Sequence, residues 1–273
     1  MDDSSILQPM ASRRALRLVR TRFTDRPAFD TAVSHAILLR VAAGELPDTL
    51  RFGRPGAMVA FGRQDATGAG YGTAVREARE SGFGAIERLA GGRAAVFHEN
   101  TIAFACATRE EEPGAGIHAR FEEVAGIVAS ALDRLGVDAR VGEVPGEYCP
   151  GAYSVSSGGR RKLMGVGQRL IKRGAHLGGV VVVSEPERVR DVLVPVYRAL
   201  GLDWDPATAG AISDDVPGID WENALEVLID QFGTRYELVE ESLDQETLTL
   251  AERLEPEHVA PPLEEDDLVA GGR

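Results

Sequence analysis

The stretch Gly159-Arg160-Arg161-Lys162-Leu163-Met164-Gly165-Val166-Gly167-Gln168-Arg169 holds one of the two lysines in the chain; the other, Lys172, follows closely. Every other basic residue is an arginine. Against that bias, a retained lysine points to a task arginine cannot perform. A guanidinium stays protonated to a pH above about 12, whereas a partly buried ammonium can lose its proton or act as a compact donor. The glycines of the stretch let backbone approach a ligand closely. The competing reading is a chance pair of surface lysines.

Outward from this stretch, Arg161 to Gln168 reads as a strand. Ser156-Ser157-Gly158-Gly159 joins it to a strand at Tyr153 to Val155, and a third strand runs from Ala175 to Val183. Upstream, strands are expected at 15–20, 48–52 and 57–62. Helices are expected at 28–42 and 72–81, the first with Phe29, Ala32, Val33, Ala36, Ile37 and Val41 on one face. Residues 83–108 read as strand, glycine loop, strand, turn, strand, the turn being His98-Glu99-Asn100. A second amphipathic helix covers 118–135. Ser184-Glu185-Pro186-Glu187 starts another, and further helices span 220–232 and 243–254. Strict βαβ alternation is missing, so the expected class is α+β, with a mixed, largely antiparallel sheet flanked by helices. The expected organisation is a flexible lead at 1–13, one catalytic-size domain at 14–242, and a C-terminal helix with a mobile acidic, Pro-containing tail at 243–273.

Composition narrows the function. The 273 residues are 44% hydrophobic and 27% charged, ordinary for a globular protein. The longest apolar run, Ile102 to Ala107, is far short of the roughly 20 residues of a membrane span. The N-terminus Met1-Asp2-Asp3-Ser4-Ser5 has no basic start and apolar stretch of the kind a secretory signal needs. Cys106 and Cys149 form neither a disulfide framework nor a metal spacing, and a reduced cytoplasmic setting fits them. A net charge of −13 argues against nucleic acid as a partner. The charge is uneven: residues 160–173 carry Arg160, Arg161, Lys162, Arg169, Lys172 and Arg173 and no acid. Such an island suits an acidic partner or an anionic ligand; a hairpin with solvated charges is the competing reading.

Two loops can carry chemistry. In Arg88-Leu89-Ala90-Gly91-Gly92-Arg93 the paired glycines expose N–H groups and the arginines offer bidentate donors. The loop matches neither common nucleotide fingerprint. Cys149 lies in Gly146-Glu147-Tyr148-Cys149-Pro150-Gly151; as a nucleophile it would need nearby positive charge, for which Lys162 and the basic island are candidates. Cys106, among apolar strand residues, reads as core. His98 reads as a turn histidine or a polar clamp on a ligand. His118, His176 and His258 have no metal-like spacing, so no metal is expected.

In order, these segments resemble the lipoate-protein ligase and octanoyltransferase family, of the superfamily that also holds biotin-protein ligases. Phe61-Gly62-Arg63-Gln64 looks like its Gly-Arg-x-Gln strand end. Glu87 through His98 resembles its Arg-Arg-x-[Ser/Thr]-Gly-Gly-[Gly/Arg]-Ala-Val-x-His loop, and Gly159 through Gln168 its Gly-x-Lys-x-x-Gly-x-[Ala/Gly]-Gln segment. Glu87 and Ala90 depart from the loop pattern. One extra residue sits within Arg93-Ala94-Ala95, and His176-Leu177-Gly178-Gly179 stands where the family has His-Gly.

The resemblance implies a sheet with an acyl cleft and transfer of an octanoyl or lipoyl group to a lysine of a lipoyl domain. It implies Lys162 as the active-site lysine, and contacts to substrate from Arg63, Arg88, Gly91, Gly92, Arg93, His98, Gly165 and Gln168. In one branch of the transferases a nucleophilic cysteine stands a little over ten residues before the lysine, where Cys149 is. That favours a thioester on Cys149 with acyl carrier protein as donor and no cofactor. A ligase using ATP and Mg through a lipoyl-adenylate is the alternative, and a non-catalytic acyl-binding module is the third reading. The implied partners are lipoyl domains of 2-oxoacid dehydrogenases or the glycine cleavage H protein, docked on Arg169, Lys172 and Arg173.

Overall fold

The computed structural model describes residues 13–261. The chain enters on β1 (Arg14–Phe23), and Pro27 then opens α1 (Pro27–Ala43) at a position where a missing N–H costs nothing. β2 (Thr49–Pro55) and β3 (Met58–Phe61) follow, then the short α2 (Arg63–Ala66), α3 (Tyr71–Glu80), β4 (Gly84–Glu87), β5 (Ala95–Phe97) and β6 (Thr101–Arg109). After α4 (Ile117–Arg134) and β7 (Ala139–Val141), a long loop leads to β8 (Val155–Ser157), β9 (Arg161–Ile171) and β10 (Gly174–Val182). The last elements are α5 (Pro186–Ala199), α6 (Trp221–Gly233), β11 (Tyr236–Glu240) and α7 (Gln245–Leu254). Asp220 and Asp244 cap α6 and α7 by accepting from the N–H of Asn223 and Thr247.

Eight strands form one sheet in the order β11-β1-β2-β6-β10-β9-β8-β7. β1 runs parallel to both its neighbours and every other pair in this sheet is antiparallel. A second sheet has the order β4-β3-β5. The expected α+β class with a largely antiparallel sheet and flanking helices is what the chain adopts.

Side chains alternate across the large sheet. One face presents Leu16, Leu18, Leu50, Phe52, Ile102, Phe104, Leu177 and Val181 to α4 and α6, forming the main core. The other face is nearly bare in the middle. The register Arg51↔Ala105↔Gly178↔Gly167 runs across four strands, with Ala103↔Val180↔Gly165 alongside. The second sheet turns Met58, Ala60 and Ile86 toward this face, and α1 covers its edge. Small residues on the floor under larger ones on the roof leave a slot.

Three features depart from the sequence reading. β11 and β7 form at the two sheet edges, where no strand was expected. The chain past Leu254 stays packed: Glu255–His258 is a 3₁₀ turn, Val259 bridges Ile86, and Ala260 is fully buried, where a mobile tail was expected. Residues 1–12 of the expected lead and 262–273 of the expected tail lie outside the described residues. Among the described residues no helix is long and apolar enough to cross a membrane.

Candidate active site

Lys162 reaches the slot because β9 carries an extra residue. Val155 pairs with Met164 and Ser156 with Lys162, so Leu163 has no partner on β8. This bulge puts Lys162 and Gly165, three residues apart, on the same face. The Lys162 stem lies along Gly165, where a Cβ would stand 3.1 Å from Lys162 Cε. On the other side Gly210 N donates to Lys162 O at 3.1 Å. Only 1% of Lys162 is exposed. Its ammonium donates to the carbonyls of Tyr148 (3.0 Å) and Cys149 (2.7 Å) and lies 3.4 Å from Glu147 Oε2 and 4.9 Å from the Tyr148 ring centre. Burial pushes its pKa below the ordinary lysine value, against the opposing pull of Cys149 and Glu147.

Cys149 sits at a strained point of its loop, with φ 43°. Its N–H donates to Tyr197 Oη (2.8 Å), and that hydroxyl donates to Ala94 O (2.9 Å), tying the loop to α5 and β5. Two donors converge on Sγ: Arg88 Nη2 and the backbone N–H of Arg93, both at 3.3 Å. Burial would raise the thiol, but Arg88 and Lys162 outweigh it and hold Cys149 below its ordinary value. Burial pushes Cys106, on the opposite face of the sheet, up to about 12.

The glycine loop brings those donors in. Gly91 N donates to Gln168 O at 3.2 Å, locking the loop onto β9, and Gly92 has φ +107°. Arg93 also pairs through Nη1 with the buried Asp65 (3.2 Å), whose other oxygen accepts from Gly62 N. The slot runs from Cys149, Lys162 and Arg88 over the Gly/Ala floor to a polar end at Arg51, Asp30, Ser34 and His176. Its largely apolar lining suits a ligand with an extended hydrocarbon part. Arg51 is fully engaged with Asp30, Ser34 and Thr21. His176 is buried with Nδ1 unpartnered, and burial pushes its pKa down to about 3.

Of the sequence-derived residues, Lys162, Cys149, Arg88, Gly91, Gly92, Arg93 and Gly165 come together. Gln168 acts from behind: its side chain donates to Ile117 O (2.7 Å) and accepts from Arg120 Nε (2.9 Å), while its carbonyl holds Gly91. Arg63 is exposed at the start of α2 and does not line the slot. His98 does not line it either; it is buried at the end of β5, its Nδ1 accepting from Asn100 N (3.2 Å), and burial followed by Arg188 lowers its pKa to about 4. The basic island is not one surface. β9 is eleven residues long, so its ends lie roughly 30 Å apart. Arg161 at one end pairs with Asp215 and Asp214, whereas Arg169, Lys172 and Arg173 stand exposed at the other, with Arg173 3.6 Å from Glu111. Sequence reasoning missed Glu147, Tyr197 and the polar end of the slot. Glu147 stood two residues before Cys149 in the quoted loop, and an acid beside a lone loop cysteine was the available signal. Among the described residues no group of three or more His, Cys, Asp or Glu is arranged to hold a metal.

Comparison with known proteins gives the family and the fold. The family model described as the lipoyl protein ligase A/B catalytic domain matches residues 26–199. The octanoyl-[GcvH]:protein N-octanoyltransferase of Geobacillus kaustophilus is 26% identical over 216 residues, 76% of each chain. The lipoyl-[GcvH]:protein N-lipoyltransferase of Listeria monocytogenes is 22% identical over 205 residues, 70% of this chain and 73% of that one. Among solved structures, a lipoate-protein ligase A bound with ATP superposes with a TM-score of 0.72 at 18% identity, over 89% of this chain and 94% of that one, which shows a shared fold.

Proposed function

We propose that this chain, which belongs to the lipoyl protein ligase A/B catalytic-domain family, transfers an octanoyl or lipoyl group to a lysine of lipoyl domains through a thioester on Cys149. The observation that carries the mechanism is the convergence of Arg88 Nη2 and Arg93 N–H on Cys149 Sγ, with Lys162 behind it, at one end of an apolar slot.

The thiolate attacks the carbonyl of an acyl thioester. A C–S bond to Cys149 forms, the donor's C–S bond breaks, and the donor thiolate leaves and takes up a proton from solvent. The hydrocarbon tail lies on the Gly/Ala floor. The amine of the acceptor lysine then attacks; a C–N bond forms, the C–S bond breaks, the amine's proton is released, and Cys149 returns as thiolate. The donors that held the thiolate stand within reach of the oxyanion of each tetrahedral intermediate, where one such donor is worth about 3–4 kcal/mol. Acyl carrier protein or another acylated protein supplies the thioester, and lipoyl domains such as the glycine cleavage H protein supply the amine. Arg169, Lys172 and Arg173 form the docking edge.

The ligase reading is favoured by a fold neighbour solved with ATP. It fits this site less well. Glu147 commits Oε1 to Gly151 N and Ser154 Oγ and turns Oε2 to the Lys162 ammonium 3.4 Å away, whose charge opposes a Mg ion there. Incubation with apo lipoyl domain and either an octanoylated carrier protein or lipoate plus ATP separates the readings. Acyl transfer from the carrier without ATP is expected. A strict ATP requirement would install the ligase, and no gain in mass under either condition the binding module.

A further inference from the structure

Glu147 is a buried acid that the mechanism so far does not use. Its side chain is 0% exposed. Oε1 accepts from Gly151 N (2.9 Å) and Ser154 Oγ (2.8 Å), bracing the loop on either side of Pro150. Oε2 has no hydrogen-bond partner and faces Lys162 Nζ at 3.4 Å. One oxygen shapes the loop and the other carries charge to the lysine.

A charge count gives the second oxygen its purpose. With Cys149 as the thiolate that attacks the donor, two cationic side chains, Arg88 and Lys162, face two acidic ones, Cys149 and Glu147. Arg93 is balanced separately by Asp65. The other titratable groups around the ammonium are phenols: Tyr148, which offers its ring face, and Tyr197, whose hydroxyl is used by Cys149 N and Ala94 O. Acylation turns the thiolate into a neutral thioester. Two cations then face one carboxylate, and a buried cation such as Lys162, left without enough counter-charge, tends to shed its proton. A neutral Lys162 would be a weaker donor to the oxyanion just when the acceptor amine attacks.

We propose that Glu147 is a positioning residue whose carboxylate keeps Lys162 protonated while Cys149 carries the acyl group. The inference takes its timing from the thioester reading above. Its geometric core is independent: one carboxylate, one ammonium, both buried, 3.4 Å apart.

Two substitutions separate the roles of the carboxylate. Glu147→Gln keeps a carbonyl oxygen for Gly151 and Ser154 and removes the charge. Glu147→Asp keeps the charge and withdraws it from the loop donors. The experiment is the pH profile of acyl transfer to apo lipoyl domain by the full chain. The basic limb of Glu147→Gln is expected about one pH unit or more below that of wild type, because an amine without its counter-charge deprotonates earlier. Glu147→Asp is expected to lose rate at every pH with its limb unmoved. A uniform loss in Glu147→Gln with an unmoved limb, or no loss, overturns the proposal. A second readout covers failure to fold. Lys162→Met strands the Glu147 charge, and adding Glu147→Gln should raise the Tm of that variant; a further drop would assign Glu147 to the loop alone. If wild type forms no thioester from donor alone, the Cys149 reading falls, while the limb comparison and the Tm cycle still decide on Glu147.

Discussion

Gly92→Ala should loosen the grip on the Cys149 thiolate while leaving the acyl slot in place. A Cβ at Gly92 would stand 2.2 Å from Arg88 Nη2 and 2.9 Å from Cys149 Sγ. Ordinary contacts begin near 3.4 Å, so the guanidinium must withdraw by roughly 1.2 Å. Its distance to Sγ, now 3.3 Å, would grow to about 4.5 Å. At an effective dielectric of about 20 the attraction falls from about 5.0 to about 3.7 kcal/mol. The loss of about 1.3 kcal/mol is about tenfold in the acid dissociation constant of the thiol. The positive φ of an alanine adds strain of about 1–3 kcal/mol to the folded state, so the variant should also melt earlier. The assay is alkylation of Cys149 by iodoacetamide across pH, in a Cys106→Ser background. The expected result is an alkylation profile displaced by about one pH unit to higher pH, converging with wild type at high pH. A coincident profile would mean that Arg88 does not stabilise the thiolate, and the site's electrostatics would have to be rebuilt without it.

Lys162→Arg should lose at least about a hundredfold in acyl transfer, because the fork of a guanidinium cannot replace an ammonium that donates to two adjacent carbonyls; transfer near the wild-type rate would remove Lys162 from the chemistry. Reversing Arg169 and Arg173 to Glu should raise KM for the protein substrate at low salt more than it lowers kcat, since exposed charges act on encounter. An unchanged KM would move the docking edge elsewhere.

The sequence carried the fold class well because its signals are local. The apolar face of α1, the Pro186 start of α5 and the glycine-flanked strands around Lys162 each follow from neighbours within one element. The edge strand β11 could not be read that way. Tyr236–Glu240 alternates over only its first three residues, too short a pattern to read as a strand, and its partner β1 lies more than two hundred residues away in the chain. The slot was invisible for a related reason: Ala105, Gly178 and Gly167 become a floor only when three strands set them side by side. Lys162 and Cys149 were found as one of two lysines in an arginine-biased chain and as a lone loop cysteine. That Arg88 faces the thiol was not found, since a bulge, a positive φ at Cys149 and the Gly91–Gln168 bond together decide it. The basic run at 160–173 misled because a strand carries its two ends apart, and adjacency in sequence is not adjacency on a surface.

The central claim is that Cys149 carries the acyl group, and intact-mass analysis of the full chain after exposure to acyl-thioester donor alone tests it most directly. Wild type and Cys106→Ser should each gain one acyl mass, removable by hydroxylamine, and Cys149→Ser should gain no such hydroxylamine-labile mass. An unmodified wild-type chain, together with acyl transfer that proceeds normally in Cys149→Ser, would contradict the thioester mechanism and return Cys149 to the loop it shapes.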